Sequence, residues 1–248
     1  MEYNDYVIGR NAVLEAIISE REIHKIWIGE GSQKGPMQKI IKEARERGVA
    51  IQYVPKKKLD EMSDGIHQGV IAQVAAYRYF DVDEILDKAE QKKEMPFLLI
   101  LDELEDPHNL GSIMRTADAS GVHGIIIPKR RSVGLTSTVA KASTGAIEHI
   151  PVARVTNLAR TIEDLKNRGI WIVGTDAKGT MDYREIDGNM PVALVIGSEG
   201  KGMGRLIKEK CDFLVSLPMK GHVTSLNASV AAALLMYEIY RKRSPLGS

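Results

Sequence analysis

The sequence predicts an α/β protein: a mostly parallel sheet with flanking helices, preceded by a smaller α/β domain. Three observations carry this. Short apolar β-rich runs recur between helical patterns from Phe97 onward. The runs are near-continuously apolar, as strands buried on both faces must be. Residues 77–95 break the rhythm with a polar, charge-dense stretch ending at Pro96, which separates a smaller unit from a larger one. The chain has 248 residues, 44% of them hydrophobic, enough for one large or two modest cores, so disorder is excluded.

In the first 75 residues, the pattern gives a helix from Asn11 to Ile18 and a strand from His24 to Ile28. A helix from Pro36 to Arg47, a strand from Val49 to Val54 and a further strand from His67 to Val74 follow. Residues 76–95 read as a linker. The second domain, 96–243, shows six strands: Phe97 to Leu101, Gly124 to Ile127, Pro151 to Val155, Trp171 to Gly174, Val192 to Ile196 and Phe213 to Leu217. Helices Gly111 to Ser120, Asn157 to Arg168 and Ser225 to Tyr240 are expected to cover them. Residues 244–248 form a tail with no assigned role.

Charge is nearly balanced, 34 Lys and Arg against 33 Asp and Glu, which argues against a strongly basic nucleic-acid binder. Residues 1–75 net zero, 76–95 net −2 and 96–248 net +3, so a polyanion would meet local patches only. Lys56-Lys57-Lys58, Lys129-Arg130-Arg131 and Arg241-Lys242-Arg243 are the candidates, though a three-residue basic run is more often just solvated surface. Nothing at Met1-Glu2-Tyr3-Asn4-Asp5 resembles a cleavable leader, and the longest apolar runs are too short to cross a bilayer. A soluble cytoplasmic protein is expected. The single cysteine, Cys211, has no neighbouring histidine to activate it and reads as packing.

In open parallel sheets the ligand site forms at the carboxyl ends of the strands, so the loops there are where chemistry is expected. Ile196-Gly197-Ser198-Glu199-Gly200-Lys201-Gly202-Met203-Gly204 follows a strand and precedes a helix. It fails the phosphate-loop template, because Met203 follows Gly202, and the dinucleotide fingerprint, because Arg205 stands where glycine or alanine is needed. Glu199 would repel a polyphosphate and tolerate a neutral or sulfonium ligand. The alternative is a turn whose glycines only let the chain reverse. Leu217-Pro218-Met219 closes the last strand, and Ser225-Leu226-Asn227 opens the last helix. Ser225 fits a helix cap, whereas Asn227, in the first turn of an apolar helix, needs a partner from backbone or ligand. Asn109 stands at a helix entrance six residues before Arg115. Arg115 either merely snorkels or pairs with Asp118, or it presents a fixed guanidinium to a phosphate.

Together, Asn109 with Arg115, the Ile196–Gly200 turn, and Leu217-Pro218-Met219 with Ser225-Leu226-Asn227 resemble the three signature motifs of the SpoU, or TrmH-like, class of SPOUT RNA 2′-O-ribose methyltransferases. The resemblance spans residues 97–243, and residues 1–75 resemble the class's small RNA substrate-binding domain of L30e type. Within the class, the likeness is nearest to bacterial enzymes that methylate a guanosine ribose of 23S rRNA. It implies a C-terminal trefoil knot, a homodimer and S-adenosylmethionine. The general rule against knotted chains would not have suggested the knot. It also implies that Thr175, Ile196, Gly197, Gly200, Leu217, Pro218, Met219, Leu226 and Asn227 hold the cofactor. Asn109, Arg115, Glu199, Ser225 and Asn227 would line the reacting end. Methyl transfer from a sulfonium needs no metal, and no metal is expected. Arginine is a poor base, so Arg115 is expected to anchor a phosphate and stabilise alkoxide charge, with Glu199 either accepting the proton or orienting Arg115. A tRNA substrate, or a non-catalytic RNA-binding assembly factor, stays open.

Overall fold

A computed structural model of the chain describes residues 5–19, 21–32, 35–63, 66–222 and 225–244. The first four residues of the supposed leader-free start, Thr224 and residues 245–248 of the tail lie outside them. The chain divides into two compact units, Met1–Arg78 with Leu135–His149, and Tyr79–Gly134 with Ile150–Ser248.

The first unit begins with β1 (Asp5–Ile8), α1 (Arg10–Ile18), β2 (Ile23–Gly29) and α2 (Met37–Glu46). It continues through β3 (Ile51–Val54), α3 (Lys56–Met62) and β4 (Val70–Val74). The sheet order is β1-β4-β2-β3, antiparallel except for the β2/β3 pair. Alternation along the strands sends Val7, Ile26, Ile28, Val70, Ala72 and Val74 to one face. There they pack on Val13 and Ile17 of α1 and on Met37, Ile40 and Ala44 of α2. Burying each Ile or Val of this kind contributes about 1.5–3 kcal/mol. The Lys56-Lys57-Lys58 run, read as a surface patch, forms the first turn of α3, whose Leu59 is fully buried against Val54 and Ile71.

The second unit adds α4 (Val82–Gln91), β5 (Phe97–Leu101), α5 (Pro107–Ala119) and β6 (Gly124–Pro128). Residues 76–95 are therefore not a linker. Asp81 and Glu84 form a capping box that starts α4, with the Asp81 N–H donating to Glu84 Oε2 at 2.8 Å. Ile85 of α4 then enters the core with Leu98 and Ile100. Gly124 makes room for it, since a Cβ there would lie 2.6 Å from Ile85 Cγ2.

The second domain is also not continuous, because α6 (Ser137–Ser143) and a short 3-10 turn (Ala146–Glu148) belong to the first unit. Within that unit Glu148 receives Arg21 Nη1 at 3.1 Å, an ion pair buried on both sides. The chain then returns through β7 (Val152–Val155), α7 (Leu158–Asn167), β8 (Trp171–Thr175), β9 (Met181–Asp182), a 3-10 turn (Tyr183–Glu185) and β10 (Val192–Ile196). It ends with α8 (Arg205–Lys210), β11 (Phe213–Ser216) and α9 (Ala228–Arg243). The sheet order is β7-β6-β5-β10-β8-β11-β9, and every pairing is parallel. The six expected strands are all present. β5 and β10 are buried along their whole length, as strands covered on both faces must be.

Cys211 lies half-buried against this core. Its Sγ–H donates to Ile207 O at 3.3 Å, and burial pushes the thiol up to about 12, so it is a packing group rather than a nucleophile. No helix among the described residues is long and apolar enough to cross a membrane.

Candidate functional site

Parallel registry aligns four strand ends on one edge of the second unit. Ile196 of β10 lies opposite Leu101 of β5, and Val195 lies opposite Gly174 of β8. Val215 of β11 lies opposite Thr175. The loops after β5, β8, β10 and β11 therefore leave from neighbouring positions, and every candidate residue except Arg115, which lies within α5, sits at a strand end or in or just beyond one of these loops. Thr175 Oγ1–H donates to Val195 O at 3.2 Å, tying β8 to β10 where they end.

The loop after β10 is a closed turn. The Ser198 N–H donates to Gly202 O at 3.1 Å, and the Gly202 N–H returns to Ser198 O at 2.9 Å. Gly197 has no alternative residue: a Cβ there would lie 2.2 Å from the Gly202 carbonyl carbon. Gly200, at the tip, has φ +78°, a region open to glycine. A residue that sequence reasoning missed fixes the turn's far end. Asp102, just after β5 and 5% exposed, accepts the Gly204 N–H through Oδ2 at 2.7 Å, while its own N–H donates to Ile196 O at 2.9 Å. Burial raises its carboxyl above the ordinary carboxylate range, opposed by the Gly204 hydrogen bond. The available signal was an acidic residue directly at the end of a wholly apolar strand.

The turn presents Glu199 to two asparagines from other loops. Asp106 caps α5 by accepting the His108 N–H at 2.9 Å, and Pro107 occupies the first helical position. Asn109 is thus in the first turn of α5 rather than at its entrance, and it is buried. Its Nδ2 donates to Glu199 Oε1 at 3.0 Å. Asn227 Nδ2 donates to Asn109 Oδ1 at 3.0 Å and also to Glu199 Oε1. The Ala228 N–H donates to the same oxygen at 3.3 Å. One carboxylate oxygen thus gathers three N–H donors from two helix starts.

Asn227 is the N-cap of α9, not a residue of its first turn. Its Oδ1 accepts the Ser229 and Val230 N–H groups at 2.9 and 3.3 Å, which divides its amide between capping and the junction. The helix starts three residues later than expected, leaving Ser225 and Leu226 in the preceding loop. The Glu199 carboxylate sits at the N-terminal end of α9, where the helix dipole favours negative charge.

Arg115 and Ser225 stand apart from this junction. Arg115 is exposed on α5 and makes no hydrogen bond or ion pair with any described residue, Asp118 and Glu199 included. Neither expected alternative, pairing with Asp118 or being oriented by Glu199, is realised. Between the loops after β5 and β10 lies a cavity of about 250 Å³, lined by Glu103, Glu105, Asp106, Asn109 and Glu199 together with one cation, Lys201. Its carboxylates suit a neutral or cationic ligand over a phosphate. Farther along the same edge, Leu217 is half-buried while Met219 and Leu226 are 39% and 36% exposed, apolar surface suited to a flat ring. Among the described residues, no group of three or more His, Cys, Asp or Glu is placed to hold a metal ion.

Residues 96–237 match the family model for the SpoU rRNA methylase family, and residues 6–80 match that for RNA 2′-O ribose methyltransferase substrate binding. A Bacillus subtilis protein named for the TrmH family of tRNA/rRNA methyltransferases, YacO, is 70% identical over 99% of both chains. Among solved structures, the SpoU methyltransferase AviRb of Streptomyces viridochromogenes in complex with AdoMet has a TM-score of 0.82 at 26% identity. The match covers 97% of this chain and 90% of that one. An AdoMet-bound rRNA methyltransferase of Sinorhizobium meliloti has a TM-score of 0.80 at 26% identity, covering 99% and 88%. The A. aeolicus TrmH/SpoU tRNA modifying enzyme, at 27% identity and a TM-score of 0.56, covers only 64% of this chain against 84% of its own.

Proposed function

Because the chain belongs to the SpoU rRNA methylase family, we propose that it methylates the 2′-hydroxyl of a ribose in 23S rRNA, a guanosine's, using S-adenosylmethionine. The observation that carries the reading is the convergence of Asn109, Glu199 and Asn227, from two helix starts and one loop, at one edge of a parallel sheet. The first unit favours rRNA over tRNA. The AdoMet-bound rRNA methyltransferase spans 99% of this chain, whereas the tRNA modifying enzyme spans 64%.

S-Adenosylmethionine, when bound, supplies a methyl group on a positively charged sulfur. Thr175, Ile196, Gly197, Gly200, Leu217, Pro218, Met219, Leu226 and Asn227 lie on or beyond the aligned strand ends and would hold it. The exposed side chains of Met219 and Leu226 would cover the adenine, and backbone groups of the loops would bond its edge. Glu199 is suited to positioning, because its Oε1 is already engaged by three N–H donors from two helix starts. It locks the asparagines while its charge faces the cavity. Arg115, paired with no described residue, would receive a phosphate and stabilise negative charge on the attacking ribose oxygen. Ser225, in the same loop system, would contact the sugar.

The accompanying expectations rest on the same family reading. The first unit would be an L30e-like RNA-binding domain, and the C-terminal segment would form a trefoil knot. The return of α9 onto α5, with β10 between β5 and β8, supports the latter. A homodimer would close over the exposed Val230, Leu234, Tyr237 and Tyr240 of α9, which line a groove of about 970 Å³ with Ser112 and Thr116 of α5. A cytoplasmic location follows from an rRNA substrate. Calorimetry with S-adenosylmethionine tests the reading. Saturable binding is expected, and a folded protein that shows none, even with rRNA present, refutes it.

A further inference from the structure

The sheet of the first unit has one covered face and one that its helices cover only at an end. Residues alternating with the core positions, Tyr6, Lys25, Trp27, Gln52 and Gln73, share the second face. There α3 buries Leu59 on Val54 and Ile71, and Tyr6 of the edge strand β1 and Trp27 are left half-buried at its rim, the latter although β2 is an interior strand. The two rings lie 6.0 Å apart at 51°. Trp27 Nε1–H donates to Gln52 Oε1 at 3.1 Å, which satisfies the indole and fixes its plane.

Cations flank the rings. Lys25 Nζ is 5.8 Å from the Trp27 ring centre. Two residues further along β2, the space above Gly29 is filled by Lys56 Cγ and Leu59 Cδ1, each 3.3 Å from where a Cβ would stand, so the Lys56 stem crosses the same face. Neither lysine forms an ion pair with a described residue. Rings with a fixed plane, side-chain amides and unpaired lysines on one sheet face make a surface for stacked bases and their phosphates.

We propose that this face is a stacking platform for unpaired RNA bases, with Trp27 and Tyr6 beneath the bases, Gln52 and Gln73 at their edges, and Lys25 and Lys56 on the phosphates. The inference rests on the reading of the chain as an RNA-modifying enzyme and names the surface through which its first unit would hold RNA. Duplex RNA conceals the faces of its bases, so the platform selects single strands and loops.

The chain has two tryptophans, so Trp171→Phe leaves Trp27 as the sole tryptophan of the full-length protein, and excitation at its red edge avoids the tyrosines. A single-stranded oligouridylate of about twelve nucleotides should quench it, and a duplex of the same length should not. By anisotropy of the labelled oligonucleotide, Trp27→Ala should weaken binding at least about fivefold, with Trp27→Phe restoring most of it. Lys25→Ala should flatten the log–log salt dependence by about 0.7. If the single strand binds without moving Trp27 fluorescence, or the duplex quenches it equally, the platform is refuted, and neither result depends on Trp27→Ala folding. S-Adenosylmethionine binding by the same proteins separates the two readings: its absence overturns the enzyme and leaves the quenching result standing, while its presence without quenching overturns the platform alone.

Discussion

Helix α5 carries two polar residues of opposite fate. Asn109, in its first turn, is 6% exposed and engaged on both amide atoms. Arg115, six residues on, is exposed and bonded to no described residue. A buried amide must be satisfied where it sits, so Asn109 belongs to the scaffold that joins the loops. A guanidinium left in solvent spends no binding capacity within the fold and keeps its planar donors for a substrate. The junction is built in advance, and the cation stands in solvent with its donors unspent on any described residue.

The largest expected effect would break this contrast outright. Arg115→Ala should lower kcat about 10²–10³-fold with S-adenosylmethionine affinity intact, while unfolding stability moves by less than about 0.5 kcal/mol. Calorimetry, single-turnover methylation and urea unfolding read the three quantities, and near-normal turnover at saturating RNA removes Arg115 from the mechanism. Glu199→Ala should do the reverse. By leaving the amide of Asn109 and the Ala228 N–H without their acceptor, it should destabilise by about 1–3 kcal/mol in urea unfolding, and Glu199→Gln should recover part of that.

Asn227 sharpens the comparison further. Asn227→Ala removes a cap worth about 1 kcal/mol. Asn227→Asp keeps the cap but sets a second carboxylate against Glu199, so it should bind S-adenosylmethionine more weakly than wild type. Equal affinity would reduce Asn227 to capping alone.

The smallest effect is one of pH. His123 Nδ1 accepts the Phe97 N–H at 3.0 Å, and Nε2 meets Glu94 Oε2 at 2.9 Å, an arrangement for the neutral ring protonated on Nε2. Burial lowers its pKa from 6.5, against the opposing pull of Glu94. The unfolded chain then binds the proton more readily than the folded one, so this contribution is full above about pH 6.5 and is lost as pH falls through the lower folded value. The urea midpoint should drop between about pH 7.5 and 5, and His123→Gln should flatten that drop.

The strands of the larger sheet were legible because burial on both faces writes unbroken apolar runs. Two-residue β9 writes no period at all. β1 was hidden by its position at a helix start, where Gly9 and Arg10 follow without a break. Helix α3 read as a basic patch because Lys56, Lys57 and Lys58 conceal one buried residue, Leu59. The supposed linker contains α4, whose fully buried residues are Ile85 and Ala89, with Val82 and Leu86 partly buried beside them in a charged stretch. The excursion of 135–149 into the first unit was not legible, because the ion pair between Arg21 and Glu148 spans residues far apart in the chain. At the site, residue types and loop positions were readable, while the partners were not: Glu199 meets Asn109 and Asn227 rather than Arg115, a matter of three-dimensional approach.

The most direct measurement is transfer of labelled methyl from S-adenosylmethionine to separated rRNA and tRNA, followed by mapping of the modified nucleotide. The account predicts label on one ribose 2′-oxygen of a guanosine in 23S rRNA. Label on a base, label in tRNA alone, or no label from a protein that binds the donor would contradict it.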